Sequence, residues 1–143
     1  MDILIYTDGA ARGNPGISAS GFAIYKDDKL IHEESVYNDI KTNNFAEYTA
    51  VILALKWCKK NLGTNINITL YSDSELVVKQ LNYEYKVKSD NIIPLNEEVK
   101  KLAKEFTSVK FKNVPRSNHY ISMVDKKLNN LLDEIQKNTH KVK

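Results

Sequence analysis

The chain has 143 residues, of which 42% are hydrophobic and 27% are charged, and its formal net charge is +3. This composition is typical of a globular domain with a core of its own, and it excludes a disordered or fibrous chain. No apolar run approaches the roughly 20 residues that a membrane-spanning helix needs. The single cysteine, Cys58, excludes an internal disulfide and fits a reducing cytoplasm, where we expect the protein to be located.

The first part of the chain predicts an antiparallel meander followed by a long helix. Short apolar runs predict three strands, at residues 3–7, 20–26 and 29–37. The segments 13–16 and 27–28 have the composition of the connecting turns. Apolar residues at helical spacing then predict a helix that Thr42, Asn43 or Asn44 can cap and that ends at Gly63.

The second part of the chain alternates strands with helices. The pattern predicts a strand at 66–70, a helix at 72–81, a helix from Pro94 to Phe106, a strand at 109–113 and a helix at 124–135. Strands that alternate with helices pair in parallel. We therefore predict an α/β fold with a five-stranded mixed sheet, an antiparallel meander at its start and helices on both faces. Residues 1–137 are expected to form one domain, followed by a polar, frayed tail at 138–143.

Two aspartates occur where an apolar strand leaves the predicted sheet. Asp8 follows Tyr6-Thr7 in the first strand, and Asp73 follows Tyr71-Ser72 in the fourth. If these strands are parallel neighbours, both carboxylates lie at the same edge of the sheet, where ligand sites of α/β folds occur. Each aspartate also has a structural explanation, because Asp8 can begin a turn and Asp73, or Ser72 before it, can cap the next helix.

A third acid, Glu47, lies on the apolar side of the predicted long helix. On a helical wheel it falls between Ala54 and Cys58, and no lysine or arginine lies three or four residues away. A buried carboxylate without a partner is costly, and a metal ion is a suitable partner. The fourth candidate is Asp125, in the first turn of the last predicted helix, where a capping role is equally open.

Three segments of the chain together resemble type 1 ribonuclease H. They are Tyr6-Thr7-Asp8-Gly9-Ala10 with Gly13-Asn14-Pro15-Gly16, then Thr42-Asn43-Asn44-Phe45-Ala46-Glu47-Tyr48, and then Tyr71-Ser72-Asp73-Ser74-Glu75-Leu76-Val77-Val78. They follow the family's order and lie on the expected elements. The resemblance covers nearly the whole chain and implies the ribonuclease H-like fold.

The resemblance also implies an activity. The chain would be an endoribonuclease that cuts the RNA strand of an RNA–DNA hybrid by two-metal-ion catalysis, leaving 5′-phosphate and 3′-hydroxyl ends. Two Mg²⁺ ions, or Mn²⁺ in their place, would be held by four acids, namely Asp8, Glu47, Asp73 and Asp125. The hybrid is the implied partner, and we expect a monomer. The residues implied in substrate binding are Gly9, Ala10, Arg12, Asn14, Asn43, Asn44 and Ser74.

The carboxy-terminal segment departs from the family pattern. Many relatives carry V-P-R-x-x-N-x-x-A-D, whereas here His119 to Val124 separate Asn118 from Asp125. Asp125 remains the best fit because the residues after it open a helix. Some relatives have a loop histidine that assists proton transfer or product release, and His119 is the candidate for that catalytic role. The alternative for His119 is a solvated loop side chain.

Two other functions fit the same sequence. One is a nuclease on this scaffold that acts on structured DNA or on general RNA, because a fold alone does not determine function. The other is a nucleic-acid-binding module with lost or altered catalysis, for which the altered approach to Asp125 leaves room. A group of late basic residues would meet phosphate or form a solvated face: Lys110, Lys112, Arg116, Lys126 and Lys127.

Overall fold

The structure is a computed structural model that describes residues 1–141, with side chains through Asn138. Its elements are β1 (Asp2–Gly13), β2 (Gly16–Lys26), β3 (Lys29–Lys41), α1 (Asn43–Leu62), β4 (Asn67–Ser72), α2 (Glu75–Leu81), α3 (Ile93–Glu105), β5 (Ser108–Asn113) and α4 (His119–Lys141). The strands lie in the order β3-β2-β1-β4-β5, with β1 antiparallel to β2 and parallel to β4. The predicted five-stranded mixed sheet is confirmed. No helix in the described part of the chain is long and apolar enough to cross a membrane.

The sheet has an apolar core on each face. Ile3 and Ile5 of β1 pack in one core with Leu55 of α1. Tyr6 packs in the second core with Leu128 of α4. Because neighbouring side chains of a strand point to opposite faces, β1 can contribute both to the α1 side and to the α4 side of the molecule.

β1 is longer than the sequence predicts. The sequence predicts a loop after Asp8, but residues 9–13 continue the strand and pair with residues 16–20 of β2. On its other side β1 pairs with β4 only as far as Thr7, which lies opposite Ser72. The strand therefore has an open side beyond Thr7, and the beginning of α1 lies against it. A hydrogen bond from the Ala11 N–H to Asn43 Oδ1, 2.8 Å long, joins the two elements.

The side chains that cap α1 and α2 determine which neighbouring polar side chains can contribute to a ligand site. Thr42 caps α1, since its Oγ1 accepts a hydrogen bond from the Phe45 N–H at 3.2 Å. The sequence predicts Ser72 or Asp73 as the cap of α2, but Ser74 is the cap and accepts from the Val77 N–H at 3.3 Å. The capping explanation for Asp73 is therefore wrong, and its carboxylate lies between β4 and α2.

The last helix begins earlier than the sequence predicts. Asn118 caps α4, and its Oδ1 accepts hydrogen bonds from the N–H groups of Tyr120 and Ile121 at 3.0 and 3.2 Å. Residues 119–124, which separate Asn118 from Asp125, are thus helical. Asp125 therefore lies in the second turn of α4 rather than the first. At its other end α4 continues past the predicted end, so that residues 138–141 of the expected tail are helical. Residues 142 and 143 lie outside the described residues.

Candidate active site

Three carboxylates meet at the edge of the sheet where β1 and β4 separate. Asp8, Glu47 and Asp73 each offer one oxygen, and these oxygens all lie within 4.8 Å of one another. Asp8 is 5% exposed and Glu47 is 7% exposed. The three residues come from β1, from α1 and from the turn before α2, so the cluster depends on how these elements pack together.

Gly9 brings β1 close enough to α1 for this cluster to form. A Cβ atom at position 9 would lie 2.4 Å from the carbonyl carbon of Ala46 and 2.5 Å from the backbone nitrogen of Glu47. The Gly9 N–H donates to Asp8 Oδ1 at 2.9 Å and also to Glu47 Oε1. A backbone amide thus orients both carboxylates, and the hydroxyl of Ser72 donates to Glu47 Oε2 at 3.4 Å.

Burial raises the pKa values of all three acids, and the charge of a neighbouring carboxylate adds to each. Burial is the largest cause of the raised pKa of Asp8, followed by the charges of Glu47 and Asp73. Burial also raises the pKa of Glu47, with a further contribution from Asp73, and outweighs the lowering by hydrogen bonds. The pKa of Asp73 is raised by burial despite the opposing effect of Arg116. The cluster therefore requires protons or a cation to neutralise it.

The cluster fits a hard divalent cation. Carboxylate oxygens are the ligands that Mg²⁺ and Mn²⁺ prefer, and their close approach is unfavourable without such a cation. Asp125 lies beside this group rather than within it: it lines the same cavity, and its carboxylate contributes to the raised pKa of Asp8. A cation at the cluster would thus have Asp125 within reach from the α4 side.

An open cavity of about 550 Å³ surrounds the carboxylates. It brings together six of the seven residues expected to bind substrate: Gly9, Ala10, Arg12, Asn43, Asn44 and Ser74. Asn14 lies outside the lining, but its Oδ1 accepts a hydrogen bond from the Asn43 N–H at 3.0 Å. Asn14 therefore holds the turn of the β1–β2 hairpin against the start of α1.

His119 does not line the cavity. It is exposed at the beginning of α4, and its ring packs edge-on against Tyr120 with 5.4 Å between the ring centroids. Tyr120 in turn stacks on Tyr6 of β1, with 4.7 Å between the two ring centroids. The histidine is thus at the surface of an aromatic group that attaches the start of α4 to the sheet.

Three residues that line the cavity are absent from the set expected from the sequence, namely Ala11, Arg116 and Asn129. Arg116 lines the cavity and lowers the pKa of Asp73 by its charge. The sequence places it only in the general basic group, although Val114-Pro115-Arg116 belongs to the carboxy-terminal segment of the resemblance. Asn129 also lines the cavity, and its Nδ2 donates to Asp125 Oδ1 at 3.0 Å. Helical spacing of four residues from Asp125 is the signal that could have found it.

Comparisons with known proteins assign the fold to a family. A family model described as reverse transcriptase-like matches residues 6–127. RNase H1 from the halophilic archaeon Halobacterium salinarum is 31% identical with a TM-score of 0.86, and the match covers 94% of this chain and 99% of that one. The chain belongs to the ribonuclease H family. The resemblance found in the sequence is confirmed, and the acidic cavity lies on the segments that carry it.

Two further relatives extend the comparison. The amino-terminal RNase H domain of Rv2228c from Mycobacterium tuberculosis has a TM-score of 0.88 at 29% identity, over 96% of this chain and 98% of that one. The whole bifunctional protein Rv2228c is 30% identical over 135 residues, which are 93% of this chain but 36% of that protein. LC11-RNase H1, isolated from compost, has been solved in complex with an RNA/DNA hybrid; its TM-score is 0.79 at 32% identity, over 91% of this chain and 99% of that one.

Proposed function

We propose that the chain is an endoribonuclease that hydrolyses the RNA strand of RNA–DNA hybrids and leaves 5′-phosphate and 3′-hydroxyl ends. The observation that carries the proposal is the cluster of Asp8, Glu47 and Asp73, whose oxygens lie within 4.8 Å of one another in an open cavity. Family membership supports it, because a relative with the same fold has been solved with an RNA/DNA hybrid.

We assign the four acids Asp8, Glu47, Asp73 and Asp125 as ligands of two Mg²⁺ ions, for which Mn²⁺ can substitute. Bound divalent cations at such a site supply an activated water and stabilise the leaving 3′ oxygen. The chain's own contribution is to orient the ligands: the Gly9 N–H holds Asp8 and Glu47, and Ser72 holds the second oxygen of Glu47. Arg116 adds positive charge where the phosphate of the RNA would lie, which offsets part of the repulsion from the acids.

We propose that the hybrid binds along the hairpin and the starts of α1 and α2, at six residues: Gly9, Ala10, Asn14, Asn43, Asn44 and Ser74. Backbone amides and side-chain amides can contact a 2′-hydroxyl as both donor and acceptor, which distinguishes RNA from DNA. The hydrogen bonds of Asn43 with Ala11 and Asn14 keep this surface in one arrangement. Arg12 lines the same cavity, but its guanidinium is bound by α4.

We further propose that residues 1–137 are a single catalytic domain that acts as a monomer in the cytoplasm. Cys58 is buried, and burial raises the pKa of its thiol to about 12, so that it stays an unreactive core residue. A single unreactive thiol is compatible with a reducing compartment.

The test of the proposed function is cleavage of a labelled RNA–DNA hybrid in Mg²⁺ or Mn²⁺, compared with duplex DNA, duplex RNA and single-stranded RNA. We expect cutting of the RNA strand of the hybrid alone, and its complete loss in EDTA, because the acids need divalent cations to bind the phosphate. A hybrid that is bound but stays intact in both metals would make the chain a binding module. Equal cutting of the other substrates would make it a nuclease of different specificity.

We propose His119 as a proton carrier that substrate binding brings to the reaction. His119→Ala is expected to lower kcat for hybrid cleavage by about 10- to 100-fold while leaving KM nearly unchanged, because only proton transfer is affected. Steady-state kinetics of the hybrid measures both constants. His32→Ala, which removes a partly exposed histidine on β3, is the control. An unchanged kcat for His119→Ala would leave this histidine as a solvated side chain.

A further inference from the structure

Arg12 joins the β1–β2 hairpin to the helix on the opposite side of the site. Its Nη2 donates to the backbone carbonyl of Asn129 at 3.1 Å and to Asn129 Oδ1 at 3.2 Å. The same nitrogen forms an ion pair with Asp133 at 2.7 Å, and Nη1 donates to Gln136. One guanidinium thus contacts three successive turns along a single side of α4.

The side-chain amide of Asn129 connects the guanidinium of Arg12 to Asp125. Its Nδ2 donates to Asp125 Oδ1 at 3.0 Å and to the backbone carbonyl of Asp125 at 2.9 Å. The side-chain oxygen of Asn129 faces the guanidinium, and its nitrogen faces the carboxylate. A flipped amide would place two donors against Arg12 and an oxygen against the carboxylate, so Arg12 selects the orientation in which Asn129 holds Asp125.

The position of the Asp125 carboxylate depends on such a contact more than the positions of the other three acids do. Asp8, Glu47 and Asp73 converge within 4.8 Å of one another, whereas Asp125 reaches the cavity from α4, on the other face of the sheet. The place of its carboxylate therefore depends on how α4 sits against β1. A displacement of about 1 Å at a reacting centre can lower the rate about 100-fold.

We propose that Arg12 and Asn129 are positioning residues that set the place of Asp125 at the metal site. This inference rests on the proposed function, and it gives Arg12 a role different from contact with the hybrid. The ion pair with Asp133 adds little stability by itself, because the Asp133 side chain is 67% exposed and exposed ion pairs are weak. The main consequence of Arg12 is therefore geometric rather than a contribution to folding.

The test compares Arg12→Met, Asn129→Ala and the double variant with the wild-type protein. Methionine keeps an unbranched apolar side chain but removes every donor. We expect each single variant to bind Mg²⁺ or Mn²⁺ about 10- to 100-fold more weakly in calorimetric titration, as residues that orient metal ligands do, and to lose kcat in proportion. The double variant is expected to match the single ones, because both changes break the same chain of contacts. Hybrid affinity in EDTA, measured by fluorescence anisotropy, is expected to be unchanged.

Lys137→Met is the matched control. It removes one positive charge from an exposed position of α4 and leaves the hydrogen bonds that connect Arg12, Asn129 and Asp125 in place. If Arg12→Met weakened hybrid binding in EDTA and left metal affinity intact, Arg12 would be a substrate contact and the inference would be wrong. Additive losses in the double variant would also contradict it. If the wild-type protein did not cut the hybrid, the proposed function would be wrong. The metal affinities of the variants would still test the role of Arg12.

Discussion

Asp8→Asn is expected to lower kcat for hybrid cleavage by about 1000-fold or more, because it removes one charged ligand from the centre of the acidic cluster. Asparagine has nearly the same volume as aspartate and keeps an oxygen that can accept from the Gly9 N–H, so the local fold is retained. Single-turnover cleavage of a labelled hybrid measures the loss. Asp2→Asn, an identical change at an exposed position of β1, is the control. An Asp8→Asn protein that cuts at a rate close to wild type would remove Asp8 from the mechanism.

The same variant has a second expected effect, on stability and its pH dependence. The pKa of Asp8 is raised in the folded state by burial and by neighbouring charges. A raised carboxyl pKa favours folding at low pH, where the group is protonated, and this contribution is lost as the pH rises above the unfolded value of about 4. In EDTA at pH 8, Asp8→Asn is therefore expected to raise the free energy of unfolding by about 1–3 kcal/mol, with the difference shrinking towards pH 4.

Urea unfolding of both proteins across this pH range measures the difference directly. Mg²⁺ is expected to raise the melting temperature of the wild-type protein more than that of the variant, because the cation relieves a repulsion that the variant has already lost. A difference in the free energy of unfolding between the two proteins that did not grow with rising pH in EDTA would contradict the repulsion between these carboxylates.

Gly9→Ala is expected to lower the free energy of unfolding by about 2–4 kcal/mol and to abolish most cleavage. The added Cβ would lie 2.4 Å from the Ala46 carbonyl carbon, and backbone atoms cannot yield as a flexible side chain can. β1 and α1 must therefore separate, which moves Asp8 away from Glu47. Chemical denaturation and hybrid cleavage measure the two losses.

Gly63→Ala provides the matched control for Gly9→Ala. Gly63 has a φ of +81°, but no atom lies within 4 Å of where its Cβ would be. The control is expected to lose about 1–3 kcal/mol from backbone strain at its positive φ and to keep its activity. If Gly9→Ala were no more destabilised than Gly63→Ala and cut the hybrid normally, the close approach of β1 to α1 would not be needed for the site.

The order of strands and helices was predictable because it follows from local patterns. Apolar alternation marks β4, and apolar residues at helical spacing mark α1 and α3. Element ends were less predictable. β1 continues to Gly13 because β2 offers pairing partners along its whole length, and the sequence of β1 alone does not show this. The earlier start of α4 depends on Asn118 as its cap. Ile121 is buried at helical spacing with Val124 and Leu128, and it is a local signal that the predicted start at residue 124 leaves out.

The sequence by itself determined the family and the four acidic candidates, because short motifs keep their residue types and order wherever the chain later places them. Only the tertiary structure decided how these acids relate to one another. Asp8, Glu47 and Asp73 converge because Gly9 lets β1 approach α1, whereas Asp125 stands beside them on α4. The contact of Arg12 with α4 joins residues more than 100 positions apart in the chain. Such contacts arise from the packing of two faces of one sheet, which no local pattern in the sequence records.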